Sequence, residues 1–521
     1  MIKEIQISLL PEQVFMEGQL LTSVSLFLKL EKERVNHIEI IKRSIDARRT
    51  PVKYQVKALV YVDEDFTEVE NTFNYQNVEN SSDFVVIVGS GPAGLFAALQ
   101  ALEYGLKPIV FERGKDVRAR RKDLATINKE GVVNPESNYC YGEGGAGTYS
   151  DGKLYTRSKK KGNVKRVLDT LVFHGADKNI LIDAHPHIGT NKLPQLIANI
   201  RDQIISCGGE IRFNAKMTDI TIEQGKVKGI SINGNEHVSC ENLILATGHS
   251  ARDIYFLLEK KGIKQEYKSF AMGVRVEHSQ ALIDKVQYKC SGDRGEYLPP
   301  ASYSLVEQTG GRGVYSFCMC PGGVIAPCAT SEGEVVTNGW SPSKRNNPFS
   351  NSGIVTEVRW DDISDFHSYG ALAGVYFQKS VETKCWEIAG QEQKVPAQRM
   401  IDFVEGIKSK DLPKTCYHPG ITSVQLSDVL PEFMVKALRK GFKAFKMKMK
   451  GYYTNDAVLH AVESRTSSPV RIPRDKESFE HVEVKGLYPV GEGAGYAGGI
   501  VSAAIDGQRC IEAIVNGKVL G

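Results

Sequence analysis

The sequence predicts an α/β fold: a Rossmann-like nucleotide-binding unit interrupted by a β-rich insertion and preceded by a small α+β module. Three observations carry this prediction. The apolar run Phe84-Val85-Val86-Ile87-Val88 ends in Gly89-Ser90-Gly91-Pro92-Ala93-Gly94 and opens a helix-compatible run. A second apolar run, Pro108-Ile109-Val110-Phe111, ends in Glu112-Arg113 at about the 20-residue spacing of a ribose-holding carboxylate. Near the far end, Val490-Gly491-Glu492-Gly493 leads through Gly498-Gly499-Ile500 into another helix-compatible stretch.

Each glycine of the first motif has a separate task. Gly89 permits the tight turn, Gly91 lets the backbone approach a pyrophosphate, and Gly94 lets the helix pack against its strand. Pro92 and Ala93 open that helix, whose free N–H groups and dipole favour phosphate. A strand, a glycine turn, a helix and an acidic residue in this order point to a dinucleotide.

Residues 1–78 come first. Partial alternation over 1–10, a mixed run at 14–30 and strand-like runs at 38–41 and 54–62 predict a small α+β module. Between the last two strands lie Lys42, Arg43, Arg48, Arg49 and Lys53. They fit a solvated hairpin outside the βαβ unit, or a surface for RNA, phosphate or an acidic partner. The acidic stretch 63–83 reads as a linker. After the βαβ opening, residues 117–124 form a basic helical run, placed either over the pyrophosphate or on a solvated face.

The loop 139–154 is rich in glycine, which suits close approach of backbone to a ligand. Lys159, Lys160 and Lys161 are expected to be exposed. His185 and His187 have no third ligand nearby in sequence, so no metal is expected. A helix is predicted over 193–205 and short strands over 211–214, 217–222 and 227–232. A buried strand at 242–245 ends in the small residues Ala246-Thr247-Gly248. Strand-like runs at 270–277, 314–320, 334–340 and 354–358, with a turn at 321–327, mark the insertion. Residues 370–450 read as mostly helical. The expected boundaries are 1–78, 79–255, 256–450 and 451–521, the last returning to the nucleotide-binding domain.

Composition excludes several classes. The formal charge of +4 over 521 residues gives no global case for nucleic acid. No apolar run approaches the ~20 residues of a membrane span. The N-terminus lacks a signal-peptide core. Ten scattered cysteines without Cys-x-x-Cys fit reduced thiols in a cytoplasm.

Taken together, Val88-Gly89-Ser90-Gly91-Pro92-Ala93-Gly94 with Glu112, Leu245-Ala246-Thr247-Gly248 and Val490-Gly491-Glu492-Gly493 resemble the glutathione-reductase-like flavoprotein superfamily. Gly144-Gly145-Ala146-Gly147-Thr148-Tyr149-Ser150-Asp151-Gly152-Lys153-Leu154, Cys318-Met319-Cys320-Pro321-Gly322-Gly323 and the run from Glu463 to Ile472 are similar to bacterial FAD-dependent dehydrogenases with an extra N-terminal domain. The resemblance implies FAD. It implies cofactor contacts at Gly89, Gly91, Pro92, Ala93, Gly94, Glu112, Arg113, Gly145, Ala146, Gly147, Thr148, Ala246, Thr247, Gly248, Gly491, Glu492, Gly498, Gly499 and Ile500. It supplies no substrate. No second glycine fingerprint follows a strand, so a separate NAD(P)H domain is not expected.

The expected function is therefore an FAD-dependent oxidoreductase with a small-molecule substrate and an external donor such as NAD(P)H. Two alternatives stand beside it: an RNA-associated flavoprotein using the basic hairpin, and a non-catalytic flavin sensor or scaffold. Candidate polar groups around the substrate are Glu143, His249, Arg275, Glu463 and Arg465. Cys318 and Cys320, two apart on a strand, would face one side, either as working thiols or as buried small residues.

Overall fold

A computed structural model describes residues 1–68, 72–156 and 162–520. The lysines at 159–161 lie outside the described residues. The centre is a five-stranded parallel sheet in the order Leu487–Pro489, Leu243–Leu245, Phe84–Val88, Lys107–Phe111, Glu210–Arg212. Both of its faces are covered, which is why the central strand Phe84–Val88 is an uninterrupted apolar run. The helices Pro92–Glu103, Leu193–Ser206 and Ile500–Leu520 cover one face. A three-stranded sheet (Met217–Glu223, Lys226–Ile232, Glu236–Ser239) and the helix Arg252–Lys260 cover the other.

Two glycines set this packing. A Cβ on Gly94 would collide with the Gly89 carbonyl, and one on Gly507 with the Ala93 carbonyl. The first helix therefore lies tight on its own turn, and the last helix lies tight on the first.

Chain between the parallel strands and the last helix builds a seven-stranded mixed sheet. Its order is Val306–Thr309, Arg312–Cys320, Phe349–Val358, Phe270–Ser279, Val458–Glu463, Val395–Arg399, Ile421–Ser423. The helices Ala373–Ala389 and Glu432–Lys448 pack on it in the largest apolar cluster. Residues 370–450, expected to be mostly helical, also supply its last two strands. Val458–Glu463 pairs with Phe270–Ser279, so the sheet extends beyond the expected boundary at 450. Residues 321–327, expected as a turn, contain the strand Val324–Pro327, which pairs with Thr337–Trp340. Buried Ile325 draws this segment into the core.

The first residues form a three-stranded antiparallel sheet, Ile2–Leu9, Lys53–Val62 and Val35–Asp46, under the helices Pro11–Phe15 and Gln19–Leu28. The basic hairpin is not free in solvent. Arg43 donates to Asp183 at 2.8 Å, and its backbone bridges Ile182 and Ala184. Tyr54 Oη donates to the Tyr297 carbonyl at 3.1 Å, and Val52 joins the core of the seven-stranded sheet. Arg48, in the bend after the strand Val35–Asp46, pairs with Asp46 at its end. The reading of these charges as a solvated hairpin is thus corrected for Arg43, whose side chain is 12% exposed. A hairpin that supplies buried apolar residues is held against the body whatever its charge. No helix among the described residues is long and apolar enough to cross a membrane.

Candidate active site

The carboxyl ends of the parallel strands open into one cavity of about 430 Å³, within the usual ~300–1,000 Å³ of ligand pockets. Phe84–Val88 delivers Gly89 and Gly91, and Lys107–Phe111 delivers Glu112 and Arg113. Leu243–Leu245 delivers Ala246, Thr247 and Gly248, and Leu487–Pro489 delivers Gly491 and Glu492. Ligands in open α/β sheets bind at this end of the strands.

Pro92, Ala93, Gly145, Ala146, Gly147, Gly498, Gly499 and Ile500 complete the nucleotide side of the wall. Two helix N-termini, Pro92–Glu103 and Ile500–Leu520, come together there and favour bound anion. Gly91 tests whether a pyrophosphate fits. Its φ of −72° suits any residue, and the nearest protein atom to an added Cβ is Gly145 Cα at 4.0 Å. Nothing in the protein itself demands glycine there, whereas a ligand in the cavity does.

Other expected contacts are placed differently. Gly94 is buried beneath the turn, outside the cavity wall. Thr148 is buried behind the loop, donating to the Glu143 carbonyl at 2.7 Å. Glu112 lines the cavity, but its carboxylate already accepts from Ser90 N (3.0 Å), Ser90 Oγ (2.8 Å), Gly114 N (2.9 Å) and Gly142 N (3.0 Å). It ties the glycine turn to the glycine-rich loop. Arg113 stacks on Tyr141 and pairs with Asp253 and Glu136.

The loop itself is held by a residue the charge pattern left undecided. Arg120, on the helix Val117–Glu130, is fully buried. Its guanidinium donates to the carbonyls of Asn138, Tyr139, Glu143 and Gly145 at 2.8–2.9 Å. Glu143 accepts from Val117 N and pairs with Arg201, away from the cavity.

The far wall belongs to the seven-stranded sheet and its loops: Phe317, Cys318, Cys328, Val336, Asn338, Arg465 and Thr466. Arg465 reaches it with every guanidinium nitrogen engaged, by Thr330 (2.7 Å), Glu334 (2.6 Å) and Glu382 (3.1–3.2 Å). Arg252 joins the same network through Glu382 at 2.8 Å, locking the helix Arg252–Lys260 to the helix Ala373–Ala389. Arg275 and Glu463 pair with each other in the core behind the wall, at 2.6 and 2.8 Å.

Asp151 and Lys153, inside the quoted loop but not singled out as site residues, also line the cavity. Lys153 Nζ lies 3.0 Å from Asp151, 3.8 Å from Cys318 Sγ and 3.6 Å from Cys320 Sγ. Arg345 clamps Asp151 from behind at 2.6 Å. Lys216, which no sequence motif marks, also lines the cavity and pairs with Glu136 at 2.7 Å.

His249 sits on the wall 3.6 Å from Glu492 Oε2. Burial, helped by Arg465, Lys268 and Arg252, pushes its imidazole down to about 4, so the ring is neutral near pH 7. His278, deep in the seven-stranded sheet, is likewise pushed down to about 4 by burial. Unfolded, both take a proton near 6.5. Between pH 6.5 and about 4 the unfolded chain therefore binds more protons, and stability falls as pH falls through that window. Each histidine is expected to remove on the order of 2 kcal/mol between pH 7 and pH 5. Urea unfolding across this range checks it. His249→Asn should flatten the slope, and a wild-type profile already flat from pH 7 to 5 would refute the assignment.

Comparison with known proteins defines the class. The model of the FAD-dependent protein, C-terminal domain-like family matches residues 269–466. That of the pyridine nucleotide-disulphide oxidoreductases matches 83–285, and a domain of unknown function matches 1–61. An uncharacterized protein of Clostridium beijerinckii is 41% identical over 508 residues, covering 94% of each chain. The chain belongs to the same family of FAD-dependent proteins, and its cofactor is FAD. Digeranylgeranylglycerophospholipid reductase of Haloferax volcanii is 25% identical over 239 residues, 44% of this chain and 51% of that protein. Among solved structures, the flavin-dependent brominase Bmp2 is similar at 14% identity and a TM-score of 0.36, covering 84% of this chain and 79% of that one. CtdE in complex with FAD is similar at 11% identity and a TM-score of 0.30, covering 84% and 89%.

Proposed function

We propose that the protein is an FAD-dependent dehydrogenase or reductase that moves two electrons between the flavin and a small molecule held against the seven-stranded sheet. One observation carries the reading. A single cavity runs from the pyrophosphate-shaped space at Gly91 to the polar wall of Asp151, Lys153, His249 and Asn338. When bound, FAD supplies the hydride or electron chemistry, and the protein supplies position and exclusion of water.

The nucleotide side would be held by the helix N-termini at Pro92 and Ile500, by the small residues 246–248, and by Gly491 with Glu492. Glu492 fixes the entry to the last helix by accepting from Gly499 N. Phe317 and Val336 add apolar surface to the polar far wall. His249, neutral, offers one donor and one acceptor there without a charge. In this assignment, residues 1–78 form the extra module, 79–255 and 451–521 the cofactor domain, and 256–450 most of the substrate domain. An external NADH or NADPH would serve as electron donor.

The test is an absorbance spectrum of the purified protein, followed by anaerobic stopped-flow reduction with NADH, NADPH and a metabolite panel. Saturable bleaching of the flavin by one donor supports the reading. Tightly held flavin that no donor bleaches overturns it in favour of a sensor or scaffold.

A further inference from the structure

A dense concentration of positive charge lies away from the cavity, on the helix Glu432–Lys448 and the turn after it. Residues 432–450 hold seven basic side chains and one acidic, whereas the whole chain carries a formal charge of only +4. One face of this helix is taken up by the core: Met434, Leu438, Phe442 and Phe445 are buried in the cluster on the seven-stranded sheet. Gly441 lets the helix lie close, since a Cβ there would come within 2.5 Å of Val314. The opposite face is thereby held rigid toward solvent.

Helical spacing puts Lys436, Lys440, Lys443 and Met447 in one row. Like charges at these spacings repel and weaken a helix. The helix dipole favours cations in the last turn, at Lys446 and Lys448, but not the row that begins three turns earlier. Acidic neighbours answer only part of the charge. Glu432 pairs with Lys436, Glu405 lies 3.6 Å from Lys443, and Glu307 lies 2.8 Å from Lys448. Arg439 is occupied by the carbonyl and the ring of Phe403. Lys440, Lys446 and Lys450 have no ion pair among the described residues.

Apolar side chains stand among these lysines. Met447 is 78% exposed, and Val306 and Ile407, each 56% exposed, flank the helix. Lys448 donates to the Val306 carbonyl, and Gly406 faces the Arg439 guanidinium. This mixture suits a bilayer surface, where apolar side chains enter the headgroup boundary while lysine stems carry their ammonium groups to lipid phosphate. Nucleic acid is held by arginine forks and by open rings that stack on bases. Here the arginine is occupied and the Tyr453 ring is capped by Lys446.

We propose that this face is a peripheral docking surface for an anionic lipid bilayer, with Met447 among the headgroups and the lysines around it on lipid phosphate. The helix shares no residue with the cavity wall, so docking does not depend on what the flavin does.

The test sediments the FAD-loaded full chain with vesicles of phosphatidylcholine, alone or mixed with phosphatidylglycerol, at about 0.1 M and about 1 M salt. Binding is expected only to the mixed vesicles and only at the lower salt. Replacing Lys440, Lys446 and Lys450 together by glutamine strands no carboxylate. It should weaken partitioning about 100-fold, about fivefold for each lysine near an anionic surface. Lys440→Gln alone should show its single fivefold step if the triple variant misfolds by circular dichroism. Met447→Ser should weaken binding several-fold at unchanged charge, and arginine at all three lysine positions should restore it. Absence of binding to the mixed vesicles, equal binding to uncharged ones, or unchanged binding by the glutamine variants overturns the surface. A single-stranded RNA oligonucleotide that displaces the mixed vesicles, with an affinity indifferent to Met447→Ser, also overturns it and assigns the lysines to nucleic acid.

Discussion

Gly91→Val is expected to give a folded protein that has lost its FAD, with the flavin-to-protein ratio falling more than about tenfold. The fold should survive, because residue 91 has an extended backbone conformation that valine adopts readily. Its Cβ would meet no protein atom closer than 4.0 Å. The branched side chain would instead project into the cavity at the mouth of the helix Pro92–Glu103, where the phosphates gain the helix N-terminus. Losing contacts worth only 1.4 kcal/mol already costs a factor of ten. Gly94→Val is the contrasting control. Its side chain would run into the Gly89 carbonyl, so that variant should fail to fold at all. The flavin absorbance ratio, read beside circular dichroism, separates the two outcomes. Full flavin occupancy in folded Gly91→Val would mean that the turn does not carry the phosphates.

The legible parts of this site were those in which chemistry is local. Gly89 and Gly94 sit within one turn and answer to backbone geometry, so spacing alone located them. The same holds for Gly491 and Glu492, where a strand runs into a helix. What stayed hidden depends on partners far along the chain. Arg120 reads as one more charge on a polar helix. Its acceptors are main-chain carbonyls of a loop 18 to 25 residues away, which no side-chain pattern announces. Lys153 lies in a quoted loop, yet its meaning comes from sulfurs 165 and 167 positions later. Glu112 was found by spacing, but the spacing does not reveal that Ser90, Gly114 and Gly142 already fill its carboxylate. Arg275 and Glu463, read as groups facing substrate, are 188 positions apart and pair in the core.

That pair carries the second large effect. Arg275→Met is expected to cost about 3–5 kcal/mol of stability, the usual consequence of leaving one member of a buried ion pair unpartnered. Arg275 is fully buried and Glu463 is 2% exposed. The guanidinium also donates to Asn351 at 2.7 Å, Asn338 at 3.3 Å and the Cys318 carbonyl at 3.4 Å. Gly339 makes room for it, since a Cβ there would press on Asn351 and on the guanidinium. Burial already raises the Glu463 carboxyl above its ordinary range. Without the arginine it would rise further and bind a proton on folding, so the deficit should shrink as pH is lowered toward 5. Adding Glu463→Gln removes the stranded charge. The double variant should therefore be more stable than Arg275→Met alone by about 1–3 kcal/mol, a coupling typical of contacting groups. Urea unfolding of the FAD-saturated variants measures both differences. If instead Arg275→Met unfolds like wild type while donor or substrate saturation weakens, the pair acts on a ligand rather than on the fold. The Cys318 carbonyl is one of the anchors being lost, so the same variant should also disturb the cavity wall at Cys318. Faster, less selective alkylation of Cys318 and Cys320 would report that the irregular pairing of Arg312–Cys320 with Phe349–Val358 had lost its hold on the two sulfurs.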